Sequence, residues 1–175
     1  MVAREPAALV VVDVQEGFVT AETRATVPLI TDHLRDSGGR YASVIATRFV
    51  NLPRSLYVTQ RDWAEMMEGP ETRLLPSVRE TADIVLTKHG LAPDRDELLG
   101  SVRALEVGRV ELCGFDTDQC VLASALLLWD GGIVPRVLAP LCSSSGGRDM
   151  HDAGLSMLRR AIGDRNVTDL DGRPM

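Results

Sequence analysis

The sequence predicts a three-layer α/β/α fold with a mostly parallel six-stranded sheet. Three observations predict it. Short, almost purely apolar runs recur, as in strands buried on both faces. Amphipathic stretches with helical spacing separate most of them. Glycines stand where those helices should stop, at Gly38, Gly39, Gly108, Gly131, Gly132 and Gly163.

The strands are expected at 7–12, 42–47, 83–87, 109–114 and 133–138, with a weak sixth at 166–168. Pro135 falls near the start of its run, where a missing ladder hydrogen bond matters least. The first helix is expected over 23–36, with Val27, Ile30 and Leu34 on one stripe. Another is expected over 94–105, on Leu98, Leu99 and Val102. The stretch 117–129 is apolar almost throughout and reads as a fully buried helix. A last helix is expected over 148–162, on Leu155, Leu158 and Ile162. The long segment 49–80 carries Pro53, Pro70 and Pro76. It reads as a functional loop with a short helix around 60–68.

A chain of 175 residues, 45% hydrophobic and 25% charged, suits one domain spanning 1–175. Its net charge of −6 lacks the positive field that nucleic acid needs. No apolar run approaches the roughly 20 residues of a membrane helix. The opening MVAREPAALVVVDV turns acidic too soon for a signal peptide. A cytoplasmic protein acting on a small molecule is expected. Cys113, Cys120 and Cys142 make a poor disulfide framework. His33, His89 and His151 have no metal-binding spacing, so neither metal nor cofactor is expected. No G-x-G-x-x-G or P-loop follows the first strand, which leaves a nucleotide binder unsupported.

Open parallel sheets bind ligands beyond the carboxyl ends of their strands. Asp13 ends the first strand, in VVVDVQEGF. Arg48 and Asn51 follow the second, and Lys88 and His89 the third. Asp116, Asp118 and Cys120 follow the fourth, in LCGFDTDQCV, and Cys142 and Ser143 to Ser145 the fifth. Thr117 or Asp118 would cap a helix carrying Cys120 in its first turn. A helix N-terminus favours a thiolate, although a buried core cysteine would read the same way. Asp13 and Lys88 add a base and a cation at the same sheet edge, which is the set that nucleophilic catalysis requires.

VVVDVQEGF, VLTKHG and CGFDTDQCVLASALLLWDGGIVPRVLA resemble the isochorismatase-like cysteine hydrolase superfamily, over nearly the whole chain. The resemblance implies a Rossmann-like fold and an Asp13–Lys88–Cys120 triad. Cys120 would attack a carbonyl carbon, Asp13 would take and return the proton, and Lys88 would supply the opposing charge. A thioester would form and be hydrolysed. The resemblance also implies a cis peptide at Phe115–Asp116, with the Asp116 and Cys120 N–H groups as oxyanion donors. Gln15 and Phe18, of the D-x-Q-x-x-F element, join Arg48, Trp63 and His89 as candidate pocket residues. Arg48 could clamp a carboxylate or simply pair at the surface. Trp63 could wall the pocket or an interface between copies. A homodimer or larger homo-oligomer is implied as well.

One departure narrows the expectation. Nicotinamidases of the family carry metal-binding histidines after the second strand, whereas TRFVNLPRSLYVTQRDW contains none. The expected reaction is metal-free hydrolysis of a small amide or related C–N bond. The alternatives are vinyl ether hydrolysis with Asp13 as acid, and a silent binding protein of the same fold.

Overall fold

A computed structural model describes residues 6–175. The first five residues of the opening MVAREP stretch lie outside the described residues. The strands are β1 (Ala7–Val12), β2 (Tyr41–Phe49), β3 (Ile84–Lys88), β4 (Arg109–Phe115), β5 (Pro135–Ser143) and β6 (Val167–Thr168). The α-helices are α1 (Val27–Asp36), α2 (Leu56–Arg61), α3 (Pro76–Thr81), α4 (Arg95–Ala104), α5 (Leu122–Asp130) and α6 (Arg148–Ile162). The sheet order is β3-β2-β1-β4-β5-β6, and every pair is parallel. The direction of crossover reverses between β1 and β4. Crevices for ligands open at such a reversal, at the carboxyl ends of the strands.

Alternation along β1 builds both interfaces at once. Val10 and Val12 pack with Leu98 and Val102 of α4, Leu128 of α5 and Leu158 of α6. Leu9 and Val11 face the other way, onto Ile30 and Leu34 of α1 and Val78 of α3. Helices therefore cover both faces of the central strands, whereas the edge strand β3 leaves Val85 and Thr87 exposed.

Four expectations change in detail. The first helix starts at Val27, not residue 23. The Thr23 hydroxyl instead donates to the Phe18 carbonyl at 2.6 Å and accepts from the Thr20 N–H at 2.9 Å, which holds a turn. The short helix expected near 60–68 lies at Leu56–Arg61. Ser55 caps it by accepting from the Val58 N–H, and Asp62, at φ 52°, ends it. The helix expected over 117–129 is a π-helical turn, Thr117–Val121, followed by α5. It is not buried all round: Leu122 and Leu126 are half-buried and Trp129 is 44% exposed. Cys142 lies within β5, not in the loop after it. Burial pushes its thiol up to about 12.

At the amino ends of the strands, Glu111 is buried in a polar cluster. It accepts from Tyr41 Oη at 2.6 Å, Arg40 Nη2 at 2.9 Å and Arg109 Nε at 3.3 Å. No helix of the described residues is long and apolar enough to cross a membrane.

Candidate active site

Asp13 is the first residue past β1 and sits at φ 49°, a left-handed conformation unusual for a residue with a side chain. Its backbone N–H donates to Thr47 Oγ1 at 3.1 Å, and the Thr47 hydroxyl donates back to Asp13 Oδ1 at 2.7 Å. Thr47 lies opposite Val12 in the β1–β2 register, so the neighbouring strand supplies the clamp.

Lys88 closes β3 and is buried. Its ammonium donates to the carbonyls of Gly90 and Leu91, both at 2.8 Å. Nζ also lies 2.8 Å from Asp13 Oδ2 and 3.3 Å from Cys120 Sγ. With two N–H bonds committed to carbonyls, the third side of the ammonium faces both the carboxylate and the sulfur. Burial works to lower the Lys88 pKa, but Asp13 and Cys120 outweigh it and raise it, so the lysine stays charged.

Cys120 stands in the π-helical turn after β4, 8% exposed. Burial pushes its thiol up, Asp13 adds to that, and Lys88 works against it. A helix end is expected to favour the thiolate; burial, the largest effect on this sulfur, works the other way.

The Phe115–Asp116 peptide is cis. Asp116, not Thr117 or Asp118, occupies the cap position. Its carbonyl accepts from the Gln119 N–H at 3.1 Å and the Val121 N–H at 3.0 Å. Its side chain caps nothing and turns to Ser145 instead, accepting from that residue's N–H at 2.7 Å and its hydroxyl at 2.6 Å. Two glycines let this turn sit so deep. Gly114, at φ 119°, lies where a Cβ would overlap the Val12 carbonyl, so β4 meets β1 closely. A Cβ on Gly154 of α6 would come within 2.7 Å of the Asp118 nitrogen.

A cleft of about 190 Å³ opens over Cys120. Phe18, Phe49, Tyr57 and Trp63 line it, four of the seven aromatic residues of the chain. Phe49 and Trp63 stack at 5.7 Å, and Tyr57 meets both edge-on at 5.4 and 5.7 Å.

The structure thus brings together Asp13, Lys88, Cys120, Asp116, Phe18 and Trp63. It leaves three candidates outside the cleft lining. Gln15 is buried beneath it: its amide donates to the carbonyls of Phe49 and Thr72, and its Oε1 accepts from the Phe49 N–H. That bracket ties the end of β1 to the end of β2. Arg48 donates to Thr87 Oγ1 across the β2–β3 pair. His89 is exposed and places Nδ1 2.7 Å from the Val50 carbonyl. Sequence reasoning missed Thr47, Phe49, Tyr57 and Arg61. A threonine or phenylalanine in an apolar strand carries no signal beyond β propensity. The scarcity of aromatics could have flagged Tyr57.

The isochorismatase domain model matches residues 7–169. No curated protein matches the chain. Among solved structures, it resembles the pyrazinamidase of Pyrococcus horikoshii in complex with zinc. The TM-score is 0.76 at 20% identity, over 89% of this chain and 96% of that one. It also resembles N-carbamoylsarcosine amidase from Thermoplasma acidophilum, with a TM-score of 0.74 and 21% identity over 90% and 93%. The nicotinamidase/pyrazinamidase of Bacillus subtilis aligns at 0.75 and 18%, over 90% and 97%. At these identities the likeness establishes the fold.

The residues here do not fit a metal such as the zinc of the first of these. Among the described residues, no group of three or more His, Cys, Asp or Glu side chains converges. Asn51, past β2, spends its amide on the carbonyls of Trp63 and Glu65. A hydrolase fold, a buried cysteine beside a charged lysine, and a match over residues 7–169 agree: the chain belongs to the isochorismatase family.

Proposed function

We propose that this domain is a thiol-dependent hydrolase of small amides or related C–N substrates, working through a thioester on Cys120. One observation carries the reading: Lys88 Nζ lies 2.8 Å from Asp13 Oδ2 and 3.3 Å from Cys120 Sγ. Asp13 Oδ2 accepts no well-aligned hydrogen bond, so a lone pair is free for the thiol proton.

At rest Cys120 is a thiol, as its burial dictates. Substrate enters the aromatic cleft with its carbonyl over Sγ. Sγ attacks the carbonyl carbon as its proton passes to Asp13, and Lys88 balances the charge on the sulfur. The N–H groups of Asp116 and Cys120 stabilise the oxyanion, where one donor is worth about 10²–10³ in rate. Asp13 returns the proton to the departing nitrogen as the C–N bond breaks. Water then attacks the thioester, Asp13 takes its proton, and the acid leaves as the thiol re-forms.

The test is intact-mass spectrometry with a panel of small amides, alongside ammonia or amine release with and without chelator. An acyl adduct on Cys120, and loss of at least about 10³-fold in Cys120→Ala, is expected. Full amide turnover by Cys120→Ala would overturn the thioester, and cleavage of a vinyl ether that survives Cys120→Ala but is lost in Asp13→Asn would replace this reading with vinyl ether hydrolysis. No turnover of any amide by the wild type would replace it with a binding role.

A further inference from the structure

Asp116 has a feature that the hydrolytic mechanism does not use. Only its backbone N–H enters that mechanism, yet Asp116 lines the cleft together with Gln119, Cys120 and Ser145. The residue is 7% exposed. Ser145 satisfies each oxygen once, by N–H and by hydroxyl. Among the described residues, no cation pairs with it. Burial pushes the Asp116 carboxyl up, Ser145 works against that, and Asp118 and Asp13 add to the rise.

A buried carboxylate is costly unless it is paired. The Asp13 carboxylate at this edge is already neutralised by Lys88. Among the described residues, Asp116 is the buried carboxylate of the cleft lining that lacks a counter-ion, and Ser145 holds it in place with open lone pairs. Aromatic rings also line the cleft, and their faces attract cations. Two further charges line the cleft, Arg61 and Glu65, and both are exposed. Arg61 lies over the Tyr57 ring at 5.8 Å, and Glu65 accepts from Trp63 Nε1 at 3.1 Å. They are opposite in sign and screened by solvent, so they offset one another. The net charge presented to a ligand is that of Asp116.

Resting on the amide-hydrolase reading, we infer that Asp116 selects the substrate: it is the counter-ion for a protonated amine carried by a small amide. The ammonium pairs with the Asp116 carboxylate and packs against the aromatic wall while the amide carbonyl lies over Cys120. A neutral amide of the same size leaves the carboxylate without a partner.

The test separates binding from turnover. Calorimetry on Cys120→Ala, which cannot form the thioester, measures two matched pairs near neutral pH. These are 3-aminopropanamide against butanamide, and 4-aminobutanamide against pentanamide. Each pair differs by an ammonium in place of a methyl group. In at least one pair the ammonium compound should bind about tenfold tighter or more. Adding Asp116→Asn should bring that ratio to within about threefold. Adding Ser145→Ala, which keeps the carboxylate, should retain the preference. Equal binding within both pairs, or a preference that survives Asp116→Asn, would overturn the inference. Should Asp116→Asn not fold, Asp116→Glu advances the carboxylate by one methylene and should shift the preference toward the shorter amine; an unchanged rank order overturns it. None of these readings depends on hydrolysis, so absent turnover would count against the amidase reading alone.

Discussion

Thr47 holds Asp13 at two points, accepting from its backbone N–H at 3.1 Å and donating to its Oδ1 at 2.7 Å. One hydroxyl therefore fixes both the left-handed backbone of Asp13 and the rotation of its carboxylate. Oδ1 is occupied, and Oδ2 is left toward Lys88 and Cys120.

Replacing Thr47 by Val keeps the shape and removes both bonds. The Asp13 N–H is then buried without a partner, at a cost of about 1–3 kcal/mol measured by urea unfolding. With the carboxylate free to rotate, kcat should fall about 10- to 100-fold with a smaller change in KM. Thr47→Ser should restore most of kcat. A Val variant with wild-type kcat would show that Thr47 does not position the base.

Asp13→Asn should move two measurements in opposite directions. Asp13 raises the Cys120 thiol, and Lys88 lowers it. Removing the carboxylate leaves the lysine charge unopposed, so more thiolate is present at neutral pH. Alkylation by iodoacetamide should therefore speed up, while hydrolysis falls at least about 10²-fold for want of a base. In the wild type, alkylation should be slower than for a free thiol and should accelerate as pH rises. A variant in which both rates fall together would refute this electrostatic account.

Glu111 predicts an acid-dependent stability. Burial works to raise its carboxyl, but the Tyr41 hydroxyl, Arg40 and Arg109 outweigh it and hold it below the ordinary range. A carboxylate held low in the folded state stabilises above its unfolded value, and that stability is lost as pH falls through the folded value. Glu111→Gln should cost about 2 kcal/mol at neutral pH. The gap from wild type, read by urea unfolding, should narrow as the solution is acidified below the ordinary carboxylate range. A gap independent of pH would mean that Glu111 acts through shape rather than charge.

Much of the site was legible in the residues. VVV before Asp13, DIVLT before Lys88 and GFDTDQC around Cys120 each set a polar residue at the end of a strand. A parallel sheet gathers such ends at one edge, whatever the loops do. The sequence by itself determined the order of elements, the apolar strands of the sheet and the three polar residues, Asp13, Lys88 and Cys120, that meet at one edge of it. It could not determine that Gln15 braces the floor instead of lining the cleft, or that Arg48 bonds across strands. Nor could it determine that burial is the largest effect on the Cys120 thiol and works against the thiolate. Those outcomes depend on distances between segments far apart in the chain, which periodicity does not carry. Tertiary packing also decided where the Asp116 carboxylate goes. Read locally, Thr117 or Asp118 caps this turn; the structure puts Asp116 at the cap position, and the loop after β5 brings the Ser145 N–H and hydroxyl to its carboxylate at 2.7 and 2.6 Å.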